Sequence, residues 1–175
     1  MTPDSPVEAR IGDALTRTDG SVATAESCTG GLVGSLLTDV PGSSAYFDRA
    51  YVTYSYDAKL DLGVSRESLD EHGAVSEPVV RQMARATRDR AGTTWGVATT
   101  GIAGPTGGTE EKPVGTVFVG VAFAAPWETG ESYVRTERDT FDGGRTEIKA
   151  KIARYALELL EAEIEAVESV ETAED

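Results

Sequence analysis

Histidine and cysteine are nearly missing from this sequence: each occurs once in 175 residues, as His72 and Cys28. One cysteine excludes an intramolecular disulfide and a zinc site built from several thiolates. One histidine argues against a histidine-based triad and leaves metal clusters without their commonest ligand. Lysine is scarce too, and Lys59, Lys112, Lys149 and Lys151 are the only four. No apolar run approaches the length of a membrane span, and Met1-Thr2-Pro3-Asp4-Ser5-Pro6 lacks a basic-then-apolar signal pattern. The expectation is a soluble, cytoplasmic protein with no membrane contact and with neither metal nor cofactor.

Acid is what the chain has in excess. Thirty Asp and Glu stand against 16 Lys and Arg, a net charge of −14. Nucleic-acid surfaces need clustered cations to neutralise phosphates, so no nucleic-acid partner is expected. High acidity with few lysines fits a halophilic protein, whose surface repulsion is screened over roughly 3 Å at 1 M salt. An ordinary acidic protein fits the same numbers. Residues 161–175 hold seven acids and no base, and from about 165 onward a frayed, solvated acidic tail is expected. The length suits one domain, residues 1–175, with a core large enough to need no disulfide or metal. A homo-oligomer is compatible with this.

Periodicity supplies the elements. A first helix opens at Pro6, with Val7, Ile11, Ala14 and Leu15 on one face. Strand 22–26 leads to helix 30–39, stopped by Pro41-Gly42. A second strand runs from Phe47 to Tyr54, and short helices follow at Asp57–Leu62 and Arg66–Glu71. Ser76 is placed to cap a longer helix through Arg90. Strand Trp95–Thr99 enters a glycine-rich loop. Val117–Ala124 is apolar enough to be central, and Tyr133–Thr140 polar enough to lie nearer an edge. An amphipathic helix from Arg145 to about Val167 closes the chain. Strands interleaved with helices predict a single three-layer α/β/α domain with a mixed, mainly parallel β-sheet.

Three segments carry chemistry. In Ala25-Glu26-Ser27-Cys28-Thr29-Gly30-Gly31 a strand turns sharply into a helix, with two hydroxyls and a thiol in the turn. Either Ser27 or Thr29 is simply a helix cap, or Ser27 is a nucleophile beside helix-start N–H groups that favour a developing negative oxygen. Cys28 is the rival nucleophile or a small core residue. The second segment, Thr99 to Gly108, holds four glycines between 101 and 108 at the end of a strand, where α/β sheets place ligands. It lacks the Gly-x4-Gly-Lys-Ser/Thr pattern, which excludes a phosphate loop of that type. Lys112 beyond it either meets a ligand anion or faces solvent. In the third, Tyr51 to Lys59, Tyr54 ends a strand and Lys59 falls in the first helical turn if Asp57 is the cap. A lysine at the positive end of a helix and partly buried is pushed towards its neutral form. The alternative is an exposed lysine. His72 before Gly73 reads as a structural residue satisfied by helix-end carbonyls. A Ser27–Tyr54–Lys59 site answers the need for a base where no histidine serves.

These residues resemble a known family. AESCTGGL (25–32), PGSSAYFDRAYVTYSYDAK (41–59), LGV (62–64), HGAVSEPVV (72–80), TGIAGPTGG (100–108), EKPVGTV (111–117) and FDGGR (141–145) are similar, in order, to the CinA carboxy-terminal domain, whose members include stand-alone nicotinamide-nucleotide amidases. The resemblance implies metal-free hydrolysis of nicotinamide mononucleotide to nicotinate mononucleotide and ammonia, so the partner is a small pyridine nucleotide. It assigns Ser27 as nucleophile and Tyr54 and Lys59 as its activators, and matches Thr100 and Arg145 to substrate-contacting positions. Thr29, Gly30, Gly31 and Gly101, in the two glycine-bearing segments, are expected to bind substrate beside them. Longer relatives carry an amino-terminal domain resembling molybdopterin-binding proteins, for which this chain has no room. A non-catalytic nucleotide-binding module is the alternative function. It would need the glycine loops but no nucleophile–base pair.

Overall fold

Parallel pairing dominates one half of the sheet and antiparallel pairing the other. The computed structural model describes residues 5–174; residues 1–4 of the N-terminal stretch read above, and Asp175 of the acidic tail, lie outside them. The strands are β1 (Val22–Glu26), β2 (Phe47–Val52), β3 (Trp95–Gly101), β4 (Thr116–Phe123) and β5 (Tyr133–Thr140), in the order β2-β1-β3-β4-β5. β1 pairs parallel with both β2 and β3, while β4 is antiparallel to β3 and to β5. Four strands therefore point one way and β4 alone points back, so the sheet is mixed and mainly parallel in strand direction. β5 is an edge as its polarity predicts. β4 is interior, but β3 holds the middle position: both strands are covered on each face, and apolar content does not distinguish them.

Helices α1 (Val7–Arg17), α2 (Leu32–Thr38) and α6 (Arg145–Glu174) cover one face. Ile11, Leu15, Val33, Leu37, Ile152 and Leu160 pack there on Val22, Val97, Val117, Val119 and Val121. Helices α3 (Tyr56–Leu62), α4 (Arg66–His72) and α5 (Glu77–Ala91) cover the other. Val79, Val80, Met83 and Ala84 meet Ala25, Ala98, Phe118 and Ala122 there. The sheet is thinned on this side so that α5 can lie almost on the backbone. A Cβ at Gly96 would run into the Ala84 carbonyl, and one at Gly120 would come within 3.0 Å of the Val80 carbonyl.

Strand and helix ends shift by one or two residues from expectation, β2 ending at Val52 and not at Tyr54, and three helix termini differ for a clear local reason. Ser55, not Asp57, caps α3: its hydroxyl accepts from the Ala58 N–H at 3.0 Å, so the helix starts at Tyr56. Ser76 stands at the start of α5, but its hydroxyl donates to the Gly73 carbonyl at 2.8 Å and caps no helix N–H. α6 runs on to Glu174, because Ile164 and Val167 continue its packed stripe and Glu and Ala are good helix formers.

The connection from β1 to β2 goes to one side, and β3 then crosses to the other side of β1. The carboxyl ends of β1 and β3 thus form a topological switch point, the place where open α/β sheets leave a crevice.

Candidate active site

Ser27 is the first residue after β1, and its N–H donates to the Thr99 carbonyl of β3 at 3.0 Å. On the other side of β1, the Thr53 N–H just after β2 donates to the Glu26 carbonyl at 2.9 Å. Three strand ends are thereby tied together under the serine. α3 brings Lys59 to the same point. Its Nζ lies 2.9 Å from Ser27 Oγ, 2.7 Å from the Thr53 carbonyl and 3.4 Å from the Tyr54 carbonyl. Lys59 is only 1% exposed, and burial lowers its pKa from the ordinary 10.5 to about 8. An ammonium there donates to all three oxygens. The neutral amine keeps two N–H donors for the carbonyls and turns its lone pair to the Ser27 hydroxyl.

A cavity of 280 Å³ opens over this pair, lined by Ser27, Cys28, Tyr54, Lys59, Arg145 and loop residues from Thr100 to Gly107. Arg145, the first residue of α6, spans its mouth. One terminal nitrogen donates to the Gly104 carbonyl at 2.6 Å and the other to the Tyr54 hydroxyl at 2.9 Å. A wider groove of 810 Å³, lined by Trp95, Phe123, Ile164 and Val167 among others, lies at the opposite end of the strands. The serine–lysine pair faces the smaller cavity and not this groove, which makes the smaller cavity the candidate site.

The Tyr54 hydroxyl does not join the Ser27–Lys59 pair directly. Tyr54 is 59% exposed, its hydroxyl rests on Arg145, and only its main-chain carbonyl meets Lys59. Thr100 lines the cavity, but its hydroxyl donates to the Ala74 carbonyl at 2.7 Å and so locks the loop to the segment before α5. Gly101 needs to be glycine: an added Cβ would meet the Thr116 carbonyl at 2.7 Å and Cys28 Sγ at 3.2 Å. Cys28 is buried, and burial pushes its thiol up to about 12. That keeps it protonated and a poor nucleophile. His72 faces Glu71 at 3.7 Å across the helix surface rather than helix-end carbonyls. Lys112 lies half-exposed at the surface, where its Nζ donates to the His72 carbonyl at 3.1 Å.

Glu26 is the residue that sequence reasoning missed. Its side chain is fully buried and folds back under the start of α2. It accepts from the N–H groups of Gly31, Val33 and Gly34 at 3.0, 3.0 and 2.8 Å. It also accepts from Thr29 Oγ1 at 2.6 Å and Thr24 Oγ1 at 3.3 Å. Thr29 shares a further bond with Thr99 Oγ1, so its side chain belongs to this buried network. Neither Ser27 nor Thr29 caps the helix. The N-cap position is Gly31 at φ 102°, and the carboxylate does the capping. The helix-start donors that looked available to a substrate oxygen are therefore occupied. Among the described residues, the N–H groups of Cys28 and Thr29 are the ones in the turn that no other residue's oxygen accepts from. An acid ending the otherwise uncharged strand Val22–Glu26, just before Gly30-Gly31, was the signal for this arrangement.

Known proteins resemble this chain in sequence and in fold. Residues 4–164 match the family model of the CinA C-terminal domain. The chain is 47% identical over 152 residues to the nicotinamide-nucleotide amidohydrolase PncC of Escherichia coli K12, covering 86% of this chain and 88% of that protein. It is 47% identical over 157 residues to a CinA-like protein of Chlorobium limicola, where the match takes in 89% of this chain but only 36% of the longer relative. The crystal structure of the competence/damage inducible protein CihA from Agrobacterium tumefaciens superposes with a TM-score of 0.83 at 44% identity, over 89% of this chain and 92% of that one.

Proposed function

Because this chain belongs to the family of the CinA C-terminal domain, we propose that it is a serine-type amidohydrolase converting nicotinamide mononucleotide to nicotinate mononucleotide and ammonia. One observation carries the reading: a buried lysine of lowered pKa within 2.9 Å of a serine hydroxyl at the base of a cavity. A module that only bound nucleotide would have no use for that pair.

In this mechanism neutral Lys59 takes the proton of Ser27 as Oγ attacks the carboxamide carbon. The tetrahedral oxyanion is met by the N–H groups of Cys28 and Thr29. Lys59 returns the proton to the departing nitrogen, the C–N bond breaks and ammonia leaves an acyl ester on Ser27. Water then attacks the ester with Lys59 again accepting the proton. The acid is released and the serine hydroxyl restored. Tyr54 and Arg145 form the cavity mouth, where their mutual hydrogen bond orients the substrate rather than moving the reacting proton. Gly30 and Gly101 keep the turn and the opposite wall bare of side chains.

We further propose that the acid excess is an adaptation to high salt, that the substrate is a small pyridine nucleotide, and that no nucleic acid binds this surface. Among the described residues no helix is long and apolar enough to cross a membrane.

Ammonia release from nicotinamide mononucleotide tests the reading. The protein should turn over, and Ser27→Ala should lose about 10⁴-fold or more while still binding nucleotide. Cys28→Ala should keep substantial activity. Activity that survives in Ser27→Ala and vanishes in Cys28→Ala would move the nucleophile to the thiol. Nucleotide binding without any turnover would establish the binding-module alternative.

A further inference from the structure

The cavity is small for a whole nucleotide. At 280 Å³ it falls just below the usual range of about 300–1,000 Å³ for ligand sites. With the carboxamide at Ser27 deep inside, the phosphate end of a mononucleotide must project past the rim. What stands beyond the rim therefore matters, and in a protein of charge −14 an anion needs a local cation.

Lys149 is placed to supply it. It lies one turn along α6 from Arg145, which lines the cavity. Its Nζ is 3.8 Å from the point a Cβ on Gly30 would occupy, so the ammonium stands over the bare glycine turn three residues after Ser27. Its positive field reaches the Cys28 sulfur, also on the cavity wall. Among the described residues Lys149 makes no ion pair, and its surroundings explain why. The residues three and four away along the helix, which share its face, are Arg145, Thr146, Ile152 and Ala153. None is acidic. The nearest acid in sequence, Glu147, is held by Lys151 at 2.7 Å. Of the other lysines, Lys59 is buried on the serine and Lys112 is bound to the His72 carbonyl. Ile148, next to Lys149, is fixed in the core, so the backbone that carries the ammonium cannot drift.

We propose that Lys149 binds the phosphate of a pyridine mononucleotide, with Arg145 on the cavity side of the same anion, and thereby sets a preference for the nucleotide over its nucleoside. This rests on the amidohydrolase reading above for the orientation of the ligand. Arg145 already spends a donor of each terminal nitrogen on Tyr54 and Gly104, which leaves the fully uncommitted charge to Lys149.

The test compares nicotinamide mononucleotide with its nucleoside, nicotinamide riboside, in the protein, in Lys149→Ala and in Lys149→Arg. Loss of a charged contact to phosphate should raise KM for the nucleotide about tenfold to hundredfold with kcat changed only a few-fold. The nucleotide-to-nucleoside ratio of kcat/KM should fall by a similar factor, and Lys149→Arg should restore most of it. An unchanged ratio in Lys149→Ala overturns the proposal, because a purely structural lysine would affect both substrates alike. Calorimetric titration of both compounds separates the two readings. If the protein releases no ammonia, the amidohydrolase reading fails, while a selective loss of nucleotide affinity in Lys149→Ala still supports the phosphate site. Equal affinity in the two proteins rules that site out.

Discussion

At the scale of single residues, the role proposed for Lys59 as base implies a pH dependence. Burial holds it near a pKa of about 8, so the neutral base is a minor form at pH 6 and the major one above 8. Ammonia release should climb about tenfold per pH unit below that point and level off above it. A flat profile from pH 6 to 9 would remove Lys59 from the role of base. The same shift makes the residue a burden on stability. Below pH 8 both folded and unfolded chains carry the proton, and the full penalty for the buried charge applies. Between 8 and the ordinary 10.5 the unfolded chain binds more protons, so stability contributed through this group rises with pH. The span corresponds to on the order of 3 kcal/mol. Lys59→Met should therefore be inactive yet melt no lower than the parent at pH 7, with its relative advantage shrinking towards pH 10. Lower stability of Lys59→Met at neutral pH would show that the three hydrogen bonds outweigh the desolvation. Ser27 and Lys59 were legible in sequence because each sits at a boundary, one at a strand end and one near a helix start, where its type needs a reason. The rotation that puts the Tyr54 hydroxyl on Arg145 was not legible, because periodicity says which face a residue takes but not where a loop-side ring points.

At the scale of elements, the joint between β1 and α2 is the most demanding part of the fold. Three N–H groups at the start of a seven-residue helix converge on one carboxylate. A helix that short has little stability of its own, so Glu26 holds it in place and with it the turn bearing Ser27. Glu26→Ala would leave those donors buried without acceptors, at about 1–3 kcal/mol for each group that water cannot reach. Urea unfolding should show a loss of about 3 kcal/mol or more, and Glu26→Gln should lose less because its carbonyl still accepts. A loss below about 1 kcal/mol in Glu26→Ala would mean that water or a shifted turn replaces the carboxylate. Element types and most boundaries followed from the sequence because hydrophobic spacing survives in every helix and strand. The β1–α2 joint escaped because a lone acid at a strand end reads as surface, and only the fold shows that both faces of β1 are covered. Strand order escaped for a related reason: β3 and β4 are both interior, and pairing depends on contacts that no local pattern encodes.

At the scale of the whole molecule, the acid excess opposes compaction. Thirty acids and 16 bases are brought closer together on folding, and their net repulsion is relieved as salt shortens the screening length from about 10 Å at 0.1 M to about 3 Å at 1 M. Salt also weakens favourable pairs, such as Arg10–Glu161 at 2.6 Å and Arg17–Glu168 at 2.8 Å between α1 and α6. Surface pairs of this kind contribute only about 0–1 kcal/mol each, and short contacts are screened less than long-range repulsion. Relief of repulsion should therefore dominate. The melting temperature should rise steadily as potassium chloride goes from dilute buffer to molar concentration. A parallel series in sucrose, which favours compact states by exclusion from the surface without screening charge, separates the electrostatic part. A smaller rise in sucrose at matched osmolality supports salt adaptation. A melting temperature that is flat or falling in potassium chloride would show that the acidity serves something other than folding in brine.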